Sequence, residues 1–448
     1  MSGRRAAQRL LVHAGSSVGA GAWTARPCGA LGLRDPSRAL HTTPPPKEPS
    51  AAKAVVSRRA PVEGPLKVLF CGHDMTKGYE FTKEELEAAD PSAVVTRCQR
   101  GDVLDHARDA HVLVPLMTRI EEHVIASSPD LRMIIQYGVG IEGIPHAAAT
   151  AAGIDISNIP SEGTGNAASS AEHAIYLALS VLRDQSGMAG SVAQRQLGTP
   201  LGTMMAGLTA LVIGFGNIAK ELIPRLNALG VVTDCVRAGP WPADAAGAYG
   251  AFQDGGWPEK ALGESHRVQH RGCESNAREG NLASGYRSPW SERDVMSMVR
   301  RRGCGRAGLL DLAGSADVVF VACPQTPYNK GLIGREFLTC CRPGVRIVNV
   351  SRGGLMDYDA CKAELQSGRI GGMGLDVQWH EPFDPSDPLA THPNVVLTPH
   401  VAGVTDVSYR AMARILAGEA LRVKQGLRPS RLVEATGKPI SDGMSLTV

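Results

Sequence analysis

Short apolar runs alternate with segments of helical periodicity along most of this chain. Runs at 67–71, 111–116, 133–138 and 154–159 predict strands, and helical segments such as 83–89 lie between them. Alternating strands and helices are typical of βα units in a parallel sheet. The first part of the chain therefore predicts an α/β domain.

A helical pattern from Asn166 to Arg183 leads into a second α/β unit. The buried-strand pattern Thr209–Ile213 continues into Gly214-Phe215-Gly216-Asn217-Ile218-Ala219, and a helical run follows and stops at Gly230. This is a dinucleotide fingerprint with alanine in the third glycine position. Its glycines permit a tight turn and a close approach of the pyrophosphate to a helix N-terminus. G-x-G-x-x-A alone is a weak signal, and the flanking strand and helix strengthen it.

Arg352, Glu381 and His400 each lie at the C-terminal end of a strand-like segment. In an open parallel sheet these ends form the ligand crevice, so the three side chains can converge. Reduction of a 2-oxo acid requires a cation for the carboxylate, a proton donor for the carbonyl oxygen, and an acid that orients the donor. Taken singly, each residue is more often a surface charge or a structural histidine. The prediction depends on their joint occurrence after the fingerprint.

With these motifs the chain resembles the D-isomer-specific 2-hydroxyacid dehydrogenases, the family of phosphoglycerate, glyoxylate/hydroxypyruvate and D-lactate dehydrogenases. The similarity runs from about Lys67 to about Gly426, and it includes the loop segment 131–140 and the strand that leads into 323–327. Few residues follow Gly426, so a C-terminal regulatory domain is not expected. The motifs are specific for the family and leave the choice of 2-hydroxy acid open.

The resemblance assigns roles to individual residues. It implies that Arg352 binds substrate, Glu381 orients the catalytic group and His400 is the acid/base. It implies that the loop of Gly138, Val139 and Gly140 offers backbone amides to the substrate carboxylate. The predicted cofactor-binding residues are Gly214, Phe215, Gly216, Asn217, Ile218, Arg237, Cys323, Pro324, Thr326, Val350, Ser351, Asp376 (for the nicotinamide carboxamide) and Gly403.

The predicted fold is α/β with two parallel-sheet domains, a Rossmann dinucleotide-binding domain and a discontinuous flavodoxin-like substrate domain. The predicted boundaries are a leader at 1–60, the first part of the substrate domain at 61–185, the Rossmann domain at 186–399, a returning helix at 400–432 and a tail at 433–448. The active site is expected in the cleft between the two domains.

Residues 240–306 form an insert that is rich in Gly, Arg, Ser and Glu and has no clear periodicity. Structureless loops of this length are uncommon inside a compact domain. We interpret the insert as a disordered excursion near the adenine end of the cofactor. A translated unspliced segment is an equal alternative, and a basic docking loop is the least favoured interpretation.

The strand after the fingerprint lacks an expected carboxylate. In the family, an aspartate for the ribose hydroxyls follows seven residues after the glycine that matches Gly230. Arg237 occupies that position here, and Asp234 lies three residues earlier. A cation suits a 2′-phosphate, so NADP is favoured over NAD. NAD binding beside a solvated Arg237 is the alternative.

Composition excludes several other classes of protein. Aromatic residues make up only 4% of the 448 residues, which disfavours stacking on nucleic acid. No apolar stretch approaches the roughly 20 residues of a membrane span. The ten cysteines are scattered and form no CxxC pair, so neither a disulfide framework nor a metal site is predicted.

The basic charge of the chain is concentrated in the leader. Residues 1–60 carry eight Arg and two Lys against Asp35 and Glu48, a net +8, and subtraction from the overall +3 leaves −5 for the remainder. An Arg-rich, acid-poor leader is typical of an organelle transit peptide. It predicts the mitochondrial matrix, with a plastid as the alternative destination and a merely disordered leader as the other interpretation.

These features predict an NAD(P)-dependent oxidoreductase that acts on a small D-2-hydroxy or 2-oxo acid such as glyoxylate, hydroxypyruvate or a phosphoglycerate-like acid. The resemblance also implies a homodimer. The alternative is a dinucleotide-sensing binding protein without significant turnover, like the corepressors related to this family. An organelle-type leader disfavours a nuclear corepressor.

Overall fold

The structure, a computed structural model, describes residues 60–242 and 286–433. The predicted leader and tail therefore lie outside the described residues, apart from Ala60 and Val433, as do residues 243–285 of the predicted insert. In the described ranges, no helix is long and apolar enough to cross a membrane.

The first part of the chain forms a five-stranded parallel sheet. Its elements are β1 (Lys67–Cys71), α1 (Thr76–Ala89), β2 (Val94–Cys98), α2 (Val103–His106), β3 (Val112–Pro115), α3 (Glu122–Ala126), β4 (Met133–Gln136), α4 (His146–Ala151) and β5 (Asp155–Asn158). The strand order is β2-β1-β3-β4-β5. The four predicted strands are confirmed. β2 was not predicted, because its buried positions are interrupted by exposed ones and it includes polar Thr96 and Arg97.

The second part forms a seven-stranded parallel sheet. Its elements are α5 (Asn166–Leu182), α6 (Gln185–Ala193), β6 (Thr209–Ile213), α7 (Asn217–Ala228), β7 (Val232–Arg237), α8 (Glu292–Ser297), β8 (Arg301–Cys304), α9 (Gly305–Ala313), β9 (Val318–Val321), α10 (Arg335–Cys340), β10 (Val345–Asn349), α11 (Tyr358–Gln366), β11 (Ile370–Leu375) and β12 (Val395–Leu397). The strand order β12-β11-β10-β9-β6-β7-β8 has helices on both faces. The predicted fold class is confirmed.

A last helix, α12 (Asp406–Lys424), returns from the second sheet to the first. Its apolar residues Tyr409, Met412 and Leu416 are buried in the same cluster as Phe70 of β1. Arg414 adds an ion pair to Glu85 of α1, with Nε and Oε1 3.2 Å apart. The domain built on the first sheet is therefore discontinuous in sequence, as predicted.

The prediction that residues 240–306 are disordered is wrong for 286–306. This segment forms α8, β8 and the start of α9. α8 begins at a capping box, in which the Ser291 hydroxyl accepts the Asp294 N–H and the Asp294 carboxylate accepts the Ser291 N–H. β8 adds a parallel strand beside β7 at the edge of the sheet.

The edge strand β8 is held by a carboxylate on β7. Asp234 is fully buried, and the Nη2 atoms of Arg300 and Arg301 each lie 2.6 Å from its Oδ2. Burial favours a raised pKa for Asp234, but hydrogen bonds from both guanidinium groups outweigh it and hold the pKa below its usual range. The composition of the segment suggested disorder, and the carboxylate that pairs with its arginines lies far away along the chain.

Candidate active site

Arg352, Glu381 and His400 follow β10, β11 and β12, which are neighbours in the second sheet. The structure brings the predicted acid and histidine together, with His400 Nδ1 2.9 Å from Glu381 Oε2. The other oxygen, Oε1, accepts the backbone N–H of Gln378 at 3.1 Å. Both carboxylate oxygens are therefore fixed, and the imidazole is oriented by one of them.

The environment of Glu381 keeps it ionised. Burial favours a raised pKa for Glu381, but the hydrogen bond and charge of His400 outweigh this effect. The Gln378 N–H and the charge of Arg352 act in the same direction as His400, so the pKa of Glu381 lies below its usual range. An ionised carboxylate can only accept a hydrogen bond, so Nδ1 of His400 carries the proton. The Nε2 atom then remains for a substrate.

The backbone at His400 is left-handed, with φ of +55°. For a residue with a Cβ this conformation costs about 1–2 kcal/mol, so surrounding contacts must hold it. The His400 N–H donates to the carbonyl oxygen of Asp376 at 2.9 Å. The Asp376 carboxylate accepts the N–H groups of Val401 and Ala402, each at 2.8 Å, and the Thr398 hydroxyl at 2.6 Å. Asp376 therefore anchors the loop that carries His400.

A second histidine supports that anchor. His173 of α5 places Nε2 2.8 Å from Thr398 Oγ1 and 3.4 Å from Asp376 Oδ1. The single hydroxyl proton of Thr398 goes to Asp376, so Nε2–H of His173 donates to the Thr398 oxygen. Burial favours a raised pKa for Asp376, yet the donors from His173, Thr398 and the loop amides lower it below the usual range.

Sequence reasoning missed His173 and Thr398. No local pattern marks them, because α5 and the segment after β12 meet only in the folded chain. Asp376 is 1% exposed, and the structure gives it this anchoring role. Its predicted contact with the nicotinamide carboxamide stays a prediction.

Arg352 reaches across to the loop of the substrate domain. Its Nη1 donates to the carbonyl of Ser351 at 2.9 Å, and its own carbonyl accepts from Nδ2 of buried Asn349 at 2.9 Å. A Cβ at Gly140 would lie 2.4 Å from Oε2 of Glu142 and 2.5 Å from Nη2 of Arg352, so the loop passes close to the guanidinium group. The domain of the second sheet thus contributes the Arg352 guanidinium, and the domain of the first sheet contributes the loop, to one cleft.

The loop of Gly138, Val139 and Gly140 is held by its carbonyls. Asn158 Nδ2 donates to Val139 O at 2.8 Å, and Ile159 N–H donates to Gly138 O at 3.1 Å. Within residues 60–242 and 286–433, no acceptor engages the N–H groups of Val139 or Gly140. These donors fit the predicted binding of a substrate carboxylate beside Arg352.

The fingerprint has the geometry that a pyrophosphate requires. Gly214 has a φ of +106°, and a Cβ there would lie 2.7 Å from the carbonyl oxygen of Ala322, so only glycine fits. A Cβ at Gly216 would meet nothing within 4 Å, and α7 starts there without a side-chain cap. Open space at an uncapped helix N-terminus suits the phosphates of a dinucleotide.

The segment after β9 forms a tight turn beside the fingerprint. Asn329 shapes the turn, because its Oδ1 accepts the Thr326 N–H at 2.6 Å and its Nδ2 donates to Pro324 O at 2.8 Å. The Ser351 hydroxyl donates to the carbonyl of Cys323. Burial raises the pKa of the Cys323 thiol to about 11, so it stays protonated at neutral pH.

The remaining predicted cofactor residues lie around the start of α7, the start of α5 and the core of the second sheet, where Ile218 packs partly buried. Asn217 Nδ2 donates to Ser161 Oγ at 2.9 Å, and Gly403 lies against Asn166 at the start of α5. Val350 is buried in the core of the second sheet.

Arg237 ends β7 on the fingerprint side. Its Cζ lies 5.8 Å from the ring centroid of Trp241, and that ring packs on Phe215 with centroids 4.8 Å apart. In the described part of the chain no carboxylate pairs with Arg237. Asp234 is engaged by arginines inside the domain, so it cannot replace the missing ribose acceptor.

Comparison with known proteins adds a family relationship. Residues 286–402 match the family described as "D-isomer specific 2-hydroxyacid dehydrogenase, NAD binding domain". The match includes residues 286–306, which supports the correction above.

Individual relatives agree with the family match. The D-3-phosphoglycerate dehydrogenase of Archaeoglobus fulgidus is 28% identical over 70% of this chain and 50% of its own length. The glyoxylate reductase of Pyrococcus furiosus is 27% identical over 75% of this chain and 85% of its own length. The chain spans about half the length of the phosphoglycerate dehydrogenases that it matches.

A solved structure shows the same fold. The D-lactate dehydrogenase of Escherichia coli superimposes with a TM-score of 0.62 over 82% of this chain and 99% of that protein, at 19% identity. At this level of identity, the comparison supports the two-domain architecture.

Proposed function

We propose that this chain, which belongs to the D-isomer-specific 2-hydroxyacid dehydrogenase family, transfers a hydride between NAD(P)(H) and a small D-2-hydroxy or 2-oxo acid. The observation that carries the proposal is the hydrogen-bonded pair Glu381–His400, set beside Arg352 and the unengaged N–H groups of loop 138–140. Glyoxylate, hydroxypyruvate and phosphoglycerate-like acids are the proposed substrates.

Each residue of the site has a distinct task in the reduction. The bound dinucleotide supplies the hydride. Arg352 and the loop N–H groups bind the carboxylate of the 2-oxo acid and orient its carbonyl. Nε2 of His400 donates a proton to the carbonyl oxygen of the substrate. Glu381 stabilises the protonated, imidazolium form of His400 until this proton is transferred. In the oxidation direction His400 accepts the hydroxyl proton.

The test is a turnover panel with purified protein. Consumption of NADH or NADPH is followed with glyoxylate, hydroxypyruvate, pyruvate and phenylpyruvate, and oxidation is assayed with 3-phosphoglycerate. At least one acid should be turned over by wild type, and His400→Ala should lose most of that activity. A protein that binds the dinucleotide but turns over none of these acids would instead support the sensing role of the corepressor-like relatives.

We also propose that the preferred cofactor is NADP(H). The support is the position of Arg237 near the fingerprint and the lack of a carboxylate partner for it in residues 60–242 and 286–433. A guanidinium binds a 2′-phosphate through charge-assisted hydrogen bonds. An aspartate at the same position would repel that phosphate.

A homodimer is the proposed assembly. Several large apolar side chains are exposed around α6 and the segment that follows it, and Leu197 and Leu201 are each 98% exposed. Val192 and Met204 add to this surface at 78% and 72%. Exposed apolar surface of this kind marks protein contacts. Light scattering should give a dimer for wild type and a monomer for the double variant Leu197→Asp/Leu201→Asp, and a wild-type monomer would refute the assembly.

The mitochondrial matrix is the proposed location, supported by the charge and composition of residues 1–60. Fusion of these residues to a fluorescent reporter tests it. Import into mitochondria is expected. Import into plastids alone would support the alternative destination.

A further inference from the structure

A separate concavity of about 690 Å³ lies on the substrate domain between α12, the end of β5 and residues 430–431. Arg414 and Arg422 line it from α12, with Gly418 between them, and Arg431 lines it from the last described segment. None of these residues belongs to the site of Glu381 and His400.

Among the described contacts, two of the arginines are hydrogen-bonded through Nε alone. Arg431 Nε donates to Asn158 Oδ1 at 3.1 Å, and Arg422 Nε donates to the carbonyl of Arg428 at 2.9 Å. Both acceptors are neutral. In the described residues, the Nη atoms of Arg422 and Arg431 have no hydrogen-bond acceptor. A guanidinium oriented by Nε presents its Nη pair to an oxyanion with little further loss of side-chain entropy.

The charges around the concavity do not cancel. Among the residues that the structure describes, the one carboxylate that lines it is Glu419, which is 6% exposed and already accepts the N–H and hydroxyl of Ser430. Glu419 lies 3.8 Å from Nε of Arg422, and Arg414 pairs with Glu85 of α1. In the described residues, three guanidinium groups therefore line the concavity, and Glu419 together with Glu85, the partner of Arg414, leaves one of the three positive charges uncompensated. We propose that this concavity binds a small multivalent oxyanion, a phosphate-bearing or polycarboxylate metabolite.

The proposed anion site is connected to the substrate loop through one side chain. Asn158 accepts from Arg431 at Oδ1 and donates from Nδ2 to the carbonyl of Val139 at 2.8 Å. An anion that holds the Arg431 guanidinium also fixes Asn158 and, through it, the loop that presents its N–H groups to the substrate. Binding at the site should therefore reduce the mobility of loop 138–140. This change in mobility does not depend on the proposed function. If the proposed function holds, anion binding should also lower the KM for the substrate, and this effect alone rests on that function.

Gly418 offers a matched pair of variants for testing the site. It is exposed on α12, and a Cβ there would meet nothing within 4 Å. Gly418→Ala adds only an uncharged methyl group that touches no other atom, and it favours the helix. Gly418→Glu places a carboxylate one helical turn from both Arg414 and Arg422, where it pairs with them and opposes an anion.

Binding of citrate and of inorganic phosphate to the full chain is measured by calorimetry. The Arg352→Gln background removes the active-site cation that could also bind these anions. We expect at least one probe to bind, with Gly418→Ala at wild-type affinity and Gly418→Glu at least tenfold weaker. The double variant Arg422→Gln/Arg431→Gln should lose binding as well, while Arg410→Gln, one turn outside the concavity, should retain it.

Three results would overturn the site: no binding of either probe, binding that disappears in Arg352→Gln alone, or equal binding by both Gly418 variants. These measurements need no turnover, so they are independent of the proposed reaction. The connection to the loop is tested by hydrogen exchange of residues 137–141 in the Arg352→Gln background. Saturating probe should slow this exchange in Gly418→Ala and not in Gly418→Glu. Unchanged exchange in Gly418→Ala would overturn the connection.

Discussion

Asp376→Asn should impair turnover through the backbone of the loop that carries His400. The wild-type carboxylate accepts two loop N–H groups at 2.8 Å and the Thr398 hydroxyl at 2.6 Å, and it is 1% exposed. Asparagine keeps one side-chain oxygen as an acceptor but replaces the other with an NH2 group. That NH2 group would face a donor of the loop or the Thr398 hydroxyl instead of accepting from it. Hydrogen bonds to a charged group contribute about 1.5–3 kcal/mol each, and an unsatisfied buried donor costs a similar amount.

The loss is larger than the roughly 1–2 kcal/mol required to keep His400 at its left-handed φ, so the loop should leave its native geometry. If about 3–4 kcal/mol of the loss appears in the barrier, kcat falls about 10²- to 10³-fold. Steady-state kinetics measure kcat, and quenching of protein fluorescence measures the dinucleotide Kd. Circular dichroism and thermal unfolding verify the fold of the variant.

The anchoring role predicts a loss of kcat with a dinucleotide Kd within about threefold of wild type. His173→Gln, which removes the supporting imidazole but leaves the carboxylate, should produce a smaller loss of kcat in the same direction. A variant Asp376→Asn with normal kcat and a weakened Kd would refute the anchoring argument. It would instead support the predicted contact with the nicotinamide carboxamide.

Three further changes test the other residues of the site. His400→Ala should lower kcat by about 10² to 10⁴, the usual range of acid/base catalysis, while dinucleotide binding persists, and unchanged turnover would remove His400 from the mechanism. Because the pKa of Glu381 is lowered in the folded protein, its carboxylate is ionised above about pH 4.3 and is lost only as the pH falls through the lower folded value. The acid limb of kcat that depends on Glu381 should therefore lie below about pH 4.3 and be absent in Glu381→Gln; a limb near pH 6 that this variant removes would contradict the assignment. Arg237→Asp should reverse a wild-type preference for NADPH, read as the ratio of kcat/KM for the two cofactors, and a strong NADH preference shared by both proteins would show that Arg237 does not contact the cofactor.

Much of the fold was predictable because its signals are local. β6 is a continuous apolar run, and the positive φ of Gly214 requires a glycine directly after it. Gly216 belongs to the same local motif and leaves open space at the start of α7. The convergence of Glu381 and His400 was also predictable, since parallel strands deliver the residues that follow them to the same edge. Neither inference required knowledge of how distant side chains pair.

The failures share one physical cause. Residues 286–306 were expected to be disordered because the insert is rich in Gly, Arg, Ser and Glu and lacks periodicity, and only the pairing of β8 with β7 brings Arg300 and Arg301 to buried Asp234. Thr96 and Arg97 concealed β2 in the same way, because a polar edge strand lacks the apolar run of a central one.

The sequence by itself determined the alternation of strands and helices, the dinucleotide turn, and the order of the three polar residues at the strand ends. These depend on interactions over a few residues and on the constant geometry of parallel sheets. Only the tertiary structure decided that His173 supports Asp376, that His400 takes a left-handed backbone, and that Asn158 links Arg431 to the substrate loop. Such contacts depend on strand order and helix packing, because they join residues that are remote along the chain.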